Sequence, residues 1–283
     1  MYLKLIMKYV VALTLYNPSL ENLNNLRKYV ENFDKVFIYD NSNDNKAYKN
    51  MIPKDKNVYY FFNGNNDGLP KAFNEIIYNE NIKDCDYICT MDQDSIFESK
   101  EIEKLKKFIE SNDDDEIAIF SPFIIYNDRI RIPQEKILFK EWVICSGSFI
   151  KLDVIKKNKL YYDENYFIDR FEVDLCKQLR LLGFKIIMYT NSIMHQELGN
   201  NSRYKHSNHS PFRHYYIFRN RLYFNKKYYN RIKALGIGFI QSIKHIILIL
   251  LFEEEKINKF IACINGLYDY SKGKFGIKGG DIY

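Results

Sequence analysis

Two carboxylates stand two residues apart in Met91-Asp92-Gln93-Asp94-Ser95, directly after the apolar run 87–91. On a turn leaving a strand, Asp92 and Asp94 can face one divalent cation and one sugar ring together. Hard oxygen donors suit Mg2+ or Mn2+, either of which bridges a diphosphate and neutralises it as a leaving group. A solvated acidic turn is the alternative that the tripeptide alone leaves open. Two more polar clusters follow apolar runs, Asp40-Asn41-Ser42 and Asn66-Asp67-Gly68. Asp40 can accept a hydrogen bond from a pyrimidine ring N–H, with Thr14, Tyr16 and Asn17 holding the other side of the base; Asp-Asn-Ser also forms turns for purely local reasons.

Residues 167–174 read Phe-Ile-Asp-Arg-Phe-Glu-Val-Asp and run into a predicted helix. A carboxylate near a helix start can act as the general base that takes a proton from an acceptor hydroxyl. Acids favoured by the helix N-terminus look the same. His195 follows the apolar segment 186–194, where a strand leaves the core, and is either a third metal ligand or a satisfied structural imidazole.

These groups need a frame to position them. Runs rich in β-branched and aromatic residues at 9–15, 36–39, 58–62, 87–91 and 117–120 predict buried strands. Between the first two, Leu20, Leu23, Leu26, Val30 and Phe33 recur at helical spacing behind Ser19, which can cap the helix. Between the third and fourth, Pro70 leads into Ala72, Phe73, Ile76 and Ile77, a second amphipathic helix. Strands alternating with helices imply a mainly parallel sheet with right-handed crossovers, whose ligands bind at the carboxyl ends of the strands. The clusters Tyr16-Asn17-Pro18, Asp40-Asn41-Ser42 and Asp92-Gln93-Asp94 fall on that rim. From residue 140 the pattern changes to short strands around 142–150, a helix near 173–182 and a strand at 185–189, read as an acceptor half; helical stretches follow residue 210.

At 283 residues the chain suits one large α/β domain with a C-terminal appendage. Cys85, Cys89, Cys145, Cys176 and Cys263 are odd in number and scattered, which fits a reducing cytoplasm rather than a disulfide framework or a zinc site. Residues 1–11 lack the long apolar core and cleavage site of a signal peptide. The net charge of +6 is unevenly spread: no Asp or Glu occurs at 198–252, while ten Lys or Arg do, interleaved with Tyr and Phe. Acidic rim clusters are poor company for a nucleic-acid backbone, so no nucleic-acid partner is expected. Residues 236–252 are strongly apolar but broken by Gln241, Ser242, Lys244 and His245, and with the flanking Lys and Arg they suit a helix lying in a membrane surface better than one spanning it.

Taken in order, these clusters resemble the family-two inverting glycosyltransferases, particularly their bacterial rhamnosyltransferase-like branch. The motifs are Thr14-Leu15-Tyr16-Asn17-Pro18 (with one residue inserted), Asp40-Asn41-Ser42, Asn66-Asp67-Gly68-Leu69-Pro70-Lys71-Ala72-Phe73-Asn74 and Asp92-Gln93-Asp94-Ser95. Ser146-Gly147-Ser148, Phe167-Ile168-Asp169 with the acids after it, His195 through Leu198-Gly199, and Arg213-His214-Tyr215-Tyr216-Ile217-Phe218-Arg219-Asn220 complete the series. The resemblance implies a GT-A fold, inversion at the anomeric carbon, a Mn2+ or Mg2+ cofactor and a dTDP- or UDP-linked sugar donor. It places the base at Glu172, where relatives usually carry Asp, with Asp174 as fallback. It also implies metal binding by Asp94, Asp92 and His195, nucleotide contacts from Asn66, Lys71 and Asp92, and an acceptor pocket lined by Trp142, Ser146 and Gly147.

The expected division is a nucleotide-sugar half at 1–122, an acceptor-binding and catalytic half of the same α/β domain at 123–210, and a helical, basic, amphipathic region at 211–283. The expected function is transfer of a sugar, with rhamnose favoured, to a glycan or lipid-linked acceptor in surface-polysaccharide synthesis, at the inner face of the plasma membrane. Two rivals share the frame. A sugar nucleotidyltransferase normally carries a Gly-rich triphosphate loop that Tyr16-Asn17-Pro18-Ser19 lacks. A non-catalytic membrane- or glycan-binding protein would not need Asp92, Asp94, Glu172 and His195 intact.

Overall fold

The structure, a computed structural model, describes residues 6–112, 114–126, 133–196, 200–201 and 207–279. The chain divides into two compact units, 1–162 with 175–197, and 163–174 with 198–283. These boundaries differ from the partition at 122 and 210 read from the sequence, because the segment 163–174 holds to the C-terminal helices and so leaves the middle of the chain.

The first unit runs β1 (Tyr9–Leu15), α1 (Leu20–Asn32), β2 (Lys35–Asp40), β3 (Val58–Phe62), α2 (Leu69–Ile77), β4 (Tyr87–Asp92), β5 (Ser95–Ile96), α3 (Ser99–Ser111), β6 (Ile117–Tyr126), β7 (Ile137–Phe139), β8 (Ser148–Lys151) and α4 (Leu152–Lys157). After the first turn of α5 (Phe171–Leu181), the chain returns to it and closes with β9 (Lys185–Gln196). The sheet order is β3-β2-β1-β4-β8-β6-β9-β5, with β7 on β9. The β3-β2-β1-β4 half is parallel, as the alternating pattern predicts. β8 then enters antiparallel between β4 and β6, so the sheet is mixed.

All seven residues of β1 are buried, which explains its continuous apolar run: a strand covered on both faces has no solvent side to alternate with. On α1, Ser19 accepts from the Asn22 N–H and Asn22 returns to the Ser19 N–H, a capping box with Asn in the usual Glu or Gln place. The helix buries Leu23, Leu26 and Tyr29 on one face, each leucine contributing about 1.5–3 kcal/mol. α2 starts behind Gly68, whose φ of +81° only glycine adopts readily, with Pro70 in its first turn.

The second unit consists of the segment 163–174, the short ladder β10 (Asn200–Asn201) with β11 (Ser207–Asn208), and helices α6 (Pro211–Tyr228), α7 (Arg231–Phe252) and α8 (Lys256–Ser271). α6 and α8 approach so closely that a Cβ on Gly266 would lie 2.7 Å from the Tyr215 carbonyl oxygen. α7 buries only Gly238, His245 and Ile249 and exposes Ile232, Leu235, Phe239, Ile240, Ile243 and Ile247. Its 22 residues are long and apolar enough to cross a membrane by length and composition.

Candidate functional site

The loops after β1, β2, β3 and β4 are fastened to one another by side chains. Gln93, between the two acids, accepts the Tyr16 N–H on Oε1 at 2.8 Å and donates from Nε2 to the Tyr16 carbonyl at 3.0 Å. Asn22 donates to the Gln93 carbonyl at 2.9 Å. The Asn17 N–H meets Ser42 Oγ at 2.7 Å, and the Asn41 N–H meets the Leu15 carbonyl at 2.8 Å. Asn41 Oδ1 takes the Asp67 N–H at 3.0 Å, while the Asp67 carboxylate accepts from Tyr39 at 2.8 Å and Lys71 at 3.0 Å. Burial pushes the Asp67 carboxyl up, but the hydrogen bonds from Lys71, Tyr39 and Asn63 outweigh it and hold the group below the usual carboxylate range. The polar clusters read from the sequence therefore do share one rim.

Within the rim the residues differ in reach. Tyr16 and Asn17 are exposed, and Asn66 and Lys71 half-exposed; Asn66 caps the turn by accepting the Gly68 N–H at 3.1 Å. Thr14 is buried, its hydroxyl 3.5 Å from the Met91 carbonyl. Asp40 needs correcting as a reader of the base. It is 0% exposed, and its oxygens accept from Tyr48 at 2.9 Å, Tyr60 at 2.6 Å and its own loop at the Ser42 N–H. A buried carboxylate so occupied organises the loop and has no face left for a pyrimidine.

The acceptor-pocket set divides as well. Trp142 stands exposed in a loop, outside any strand. Ser146 is buried beneath the acidic turn, where its hydroxyl accepts the Asp92 N–H at 3.2 Å and donates to Ser95 Oγ at 2.7 Å. Gly147 has φ +77°, and a Cβ there would lie 2.7 Å from Met194 Sδ. Ser146 thus supports the acidic turn, Gly147 packs against Met194, and both are buried rather than open to an acceptor.

Asp92 is half-buried, with Cys145 Sγ 3.7 and 3.8 Å from its two oxygens, and Asp94 is exposed. His195, also exposed, lies opposite Ile96 in the β5–β9 ladder, which puts its backbone beside the turn. Leu198 and Gly199 of its motif lie outside the described residues. Among the described residues, the group of three His, Cys, Asp or Glu donors within 4.8 Å of one another is His214, His245 and Cys263, so Asp92, Asp94 and His195 form no closed cage. That donor set still fits Mg2+ or Mn2+, which is usually held by one or two carboxylates together with substrate phosphates.

In the second unit, Glu172 and Asp174 occupy the first turn of α5. Glu172 is half-buried. Asp174 is 0% exposed and accepts from Tyr166 at 3.0 Å and Lys227 at 3.0 Å. Enclosed and already bonded to Tyr166 and Lys227, Asp174 has no face open to an acceptor hydroxyl, so it is corrected from fallback base to structural anchor. The approach to the helix is strained: Phe167, Asp169 and Arg170 have φ of +65°, +59° and +73°. Phe167 centres a γ-turn of the rare sense, with the Ile168 N–H 2.8 Å from the Tyr166 carbonyl. Such conformations cost about 1–3 kcal/mol each and concentrate at functional segments.

The two histidines of that group are already engaged otherwise than by a metal, and Cys263 packs in an apolar cluster with Phe218 and Ile249. The two imidazoles hydrogen-bond at 2.9 Å, His214 meets Glu253 at 2.7 Å, and Lys259 meets the same carboxylate at 2.9 Å. Lys259 and the nearby Arg221 add positive charge that a divalent ion would have to oppose. Sequence reasoning passed over this network, as it did the Gln93 clasp. An amide flanked by two acids was the available signal for the clasp.

A mixed sheet with nucleotide-type βα loops and a paired-carboxylate turn at its rim fits the GT-A frame that the motifs imply. The profile of glycosyl transferase family 2 matches residues 17–174, more than half of the chain, and the chain belongs to that family. It is 26% identical over 299 residues to dTDP-rhamnosyl transferase RfbF of Shigella flexneri, an alignment covering 97% of this chain and 98% of that protein. Among solved structures, S. aureus TarS residues 1–349 in complex with UDP-GlcNAc matches with a TM-score of 0.56 at 14% identity, over 93% of this chain and 80% of that one. GalNAc-T7 with UDP, GalNAc and Mn2+ matches with a TM-score of 0.54 at 13% identity, over 68% of this chain and 44% of that one. Family membership removes the nucleotidyltransferase alternative.

Proposed function

We propose that this glycosyltransferase transfers rhamnose from dTDP-rhamnose, with inversion, to a glycan or lipid-linked acceptor in surface-polysaccharide synthesis. The near full-length alignment to a dTDP-rhamnosyl transferase supports the donor. The observation that carries the chemistry is the Asp92-Gln93-Asp94 turn, clasped to Tyr16 and supported by Ser146.

In this reading Tyr16 and Asn17 hold the base, Lys71 serves the ribose or phosphate, and Asp94 with Asp92 holds Mn2+ or Mg2+, with His195 on the same rim. When bound, the ion offsets negative charge on the departing diphosphate. The acceptor oxygen forms a bond to the anomeric carbon as the bond to the diphosphate oxygen breaks, and Glu172 takes the hydroxyl proton. Trp142 is retained as an acceptor contact. The exposed apolar side of α7 supports residence on the cytoplasmic membrane surface, where a lipid-linked acceptor resides.

The test is release of thymidine diphosphate from dTDP-rhamnose. EDTA is expected to abolish it and Mn2+ to restore it, while Asp94→Asn and Glu172→Gln each lower kcat by roughly 100-fold or more. Full turnover in chelator would remove the metal from the scheme, and full turnover in Glu172→Gln would remove the base.

A further inference from the structure

Strained backbone persists only where its surroundings over-determine it, and the strained segment ahead of Glu172 is held by one helix. Asn220, wholly buried on α6, donates from Nδ2 to the carbonyls of Tyr166 at 2.9 Å, Ile168 at 2.6 Å and Asp169 at 3.1 Å. Its orientation is set by Arg219, whose Nε donates to Asn220 Oδ1 at 3.0 Å. The rest of the Arg219 guanidinium reaches the carbonyls of Asn165 at 3.0 Å, Tyr166 at 3.2 Å and Gly276 at 2.8 Å. Two turns before Asn220, Arg213 donates to Asp169 at 3.1 Å. Two turns beyond Asn220, Lys227 bonds Asp163 at 2.8 Å and Asp174 at 3.0 Å, fixing both ends of the segment.

Arg219 is buried at 1% exposure, with its guanidinium 4.8 Å from the Tyr216 ring centre and 5.3 Å from that of Tyr215. A guanidinium so enclosed and so bonded is spent on backbone carbonyls and is not available to a diphosphate. The Arg219-Asn220 part of the basic and aromatic stretch on α6 is therefore an internal clamp.

We propose that Arg219 and Asn220 are positioning residues for the transfer reaction: α6 grips the carbonyls of residues 165–169 so that Glu172 is presented in one fixed orientation. The inference rests on the reading of Glu172 as base. It makes α6 part of the catalytic apparatus through the segment it holds.

A double-mutant cycle tests it, with dTDP-rhamnose and Mn2+ as substrate and ion, and water as acceptor. Asn220→Ala and Arg219→Lys are each expected to lower the rate of thymidine diphosphate release by roughly 10- to 100-fold, the loss typical of a displaced catalytic group. Affinity for thymidine diphosphate should stay within about twofold, since the carbonyls that Arg219 and Asn220 hold belong to residues 165–169 and 276, none of them proposed to bind the nucleotide. In the Glu172→Gln background neither substitution should lower the residual rate further, because residues acting through one group are not additive. Arg219→Lys keeps a buried cation but loses the planar fork that reaches several carbonyls at once, and melting curves on each variant identify any that fails to fold. Equal losses in both backgrounds, or unchanged kcat in a folded Asn220→Ala protein, would overturn the clamp. Full activity in Glu172→Gln would overturn the base assignment instead, so the two failures are distinguishable.

Discussion

Gln93 stands between Asp92 and Asp94, and its amide closes two hydrogen bonds onto the Tyr16 peptide while its own carbonyl accepts from Asn22. The residue that separates the two acids thus also ties the acidic turn to the loop proposed to hold the base. Each such bond contributes about 0.5–1.5 kcal/mol net. Gln93→Ala is accordingly expected to weaken binding of thymidine diphosphate roughly tenfold, the equivalent of about 1.4 kcal/mol, as measured by calorimetry with Mn2+ present. An unchanged affinity would show that the clasp is incidental. Asp40 teaches the converse lesson: its place in Asp-Asn-Ser at a strand end was legible, but Tyr48 and Tyr60, which consume its oxygens, lie 8 and 20 residues away and carry no mark of that role. Ser146 and Gly147 were likewise noticed as a motif and misread, since burial beneath a turn 51 or more residues earlier is a tertiary fact.

Elements were legible where one local rule governs them. β1 and β3 match the predicted 9–15 and 58–62, and α1 starts where Ser19 caps it. The antiparallel entry of β8 and the allegiance of residues 163–174 to α6 depend on long-range pairing that no periodicity encodes. The packing of α6, α7 and α8 has the same origin, and its polar network makes a pH prediction. Burial and the charge of Arg221 hold His245 down to about 3, and burial and Arg213 hold His209 down to about 4. His214 is lowered too, chiefly by burial, against the pull of Glu253. An unfolded histidine titrates near ~6.5, so below that pH the unfolded chain binds protons that the folded chain refuses. Stability is fully present above that value and falls as pH drops through the window toward 4, by up to about 1.4 kcal/mol per pH unit for each histidine. Denaturant midpoints followed by helical circular dichroism at pH 7.5, 6 and 5 should show the decline, and His245→Asn should flatten it. A midpoint independent of pH across that range would mean that these imidazoles are not held neutral.

For the whole molecule, the questions are where it resides and how it meets its acceptor. The chain carries a net charge of +6, and α7 exposes Leu235 at 63%, Phe239 at 69% and Ile243 at 42%. Contiguous apolar surface of this kind costs free energy in water and marks an interaction site. Cations near an anionic bilayer add about 1 kcal/mol each, an attraction that salt screens over a Debye length of about 10 Å at 0.1 M. If α7 lies in the bilayer surface, the protein floats with vesicles containing phosphatidylglycerol, floats less with purely zwitterionic vesicles, and is partly released by salt. Partial release is the informative outcome, because the apolar contribution survives screening and the electrostatic one does not. Replacing Leu235, Phe239 and Ile243 together by Glu should abolish flotation in every condition while leaving the melting temperature and thymidine diphosphate affinity unchanged, since none of the three belongs to the buried stripe of α7. Complete release by salt from the unaltered protein would reduce the association to charge alone, and α7 would then need a protein partner to cover it.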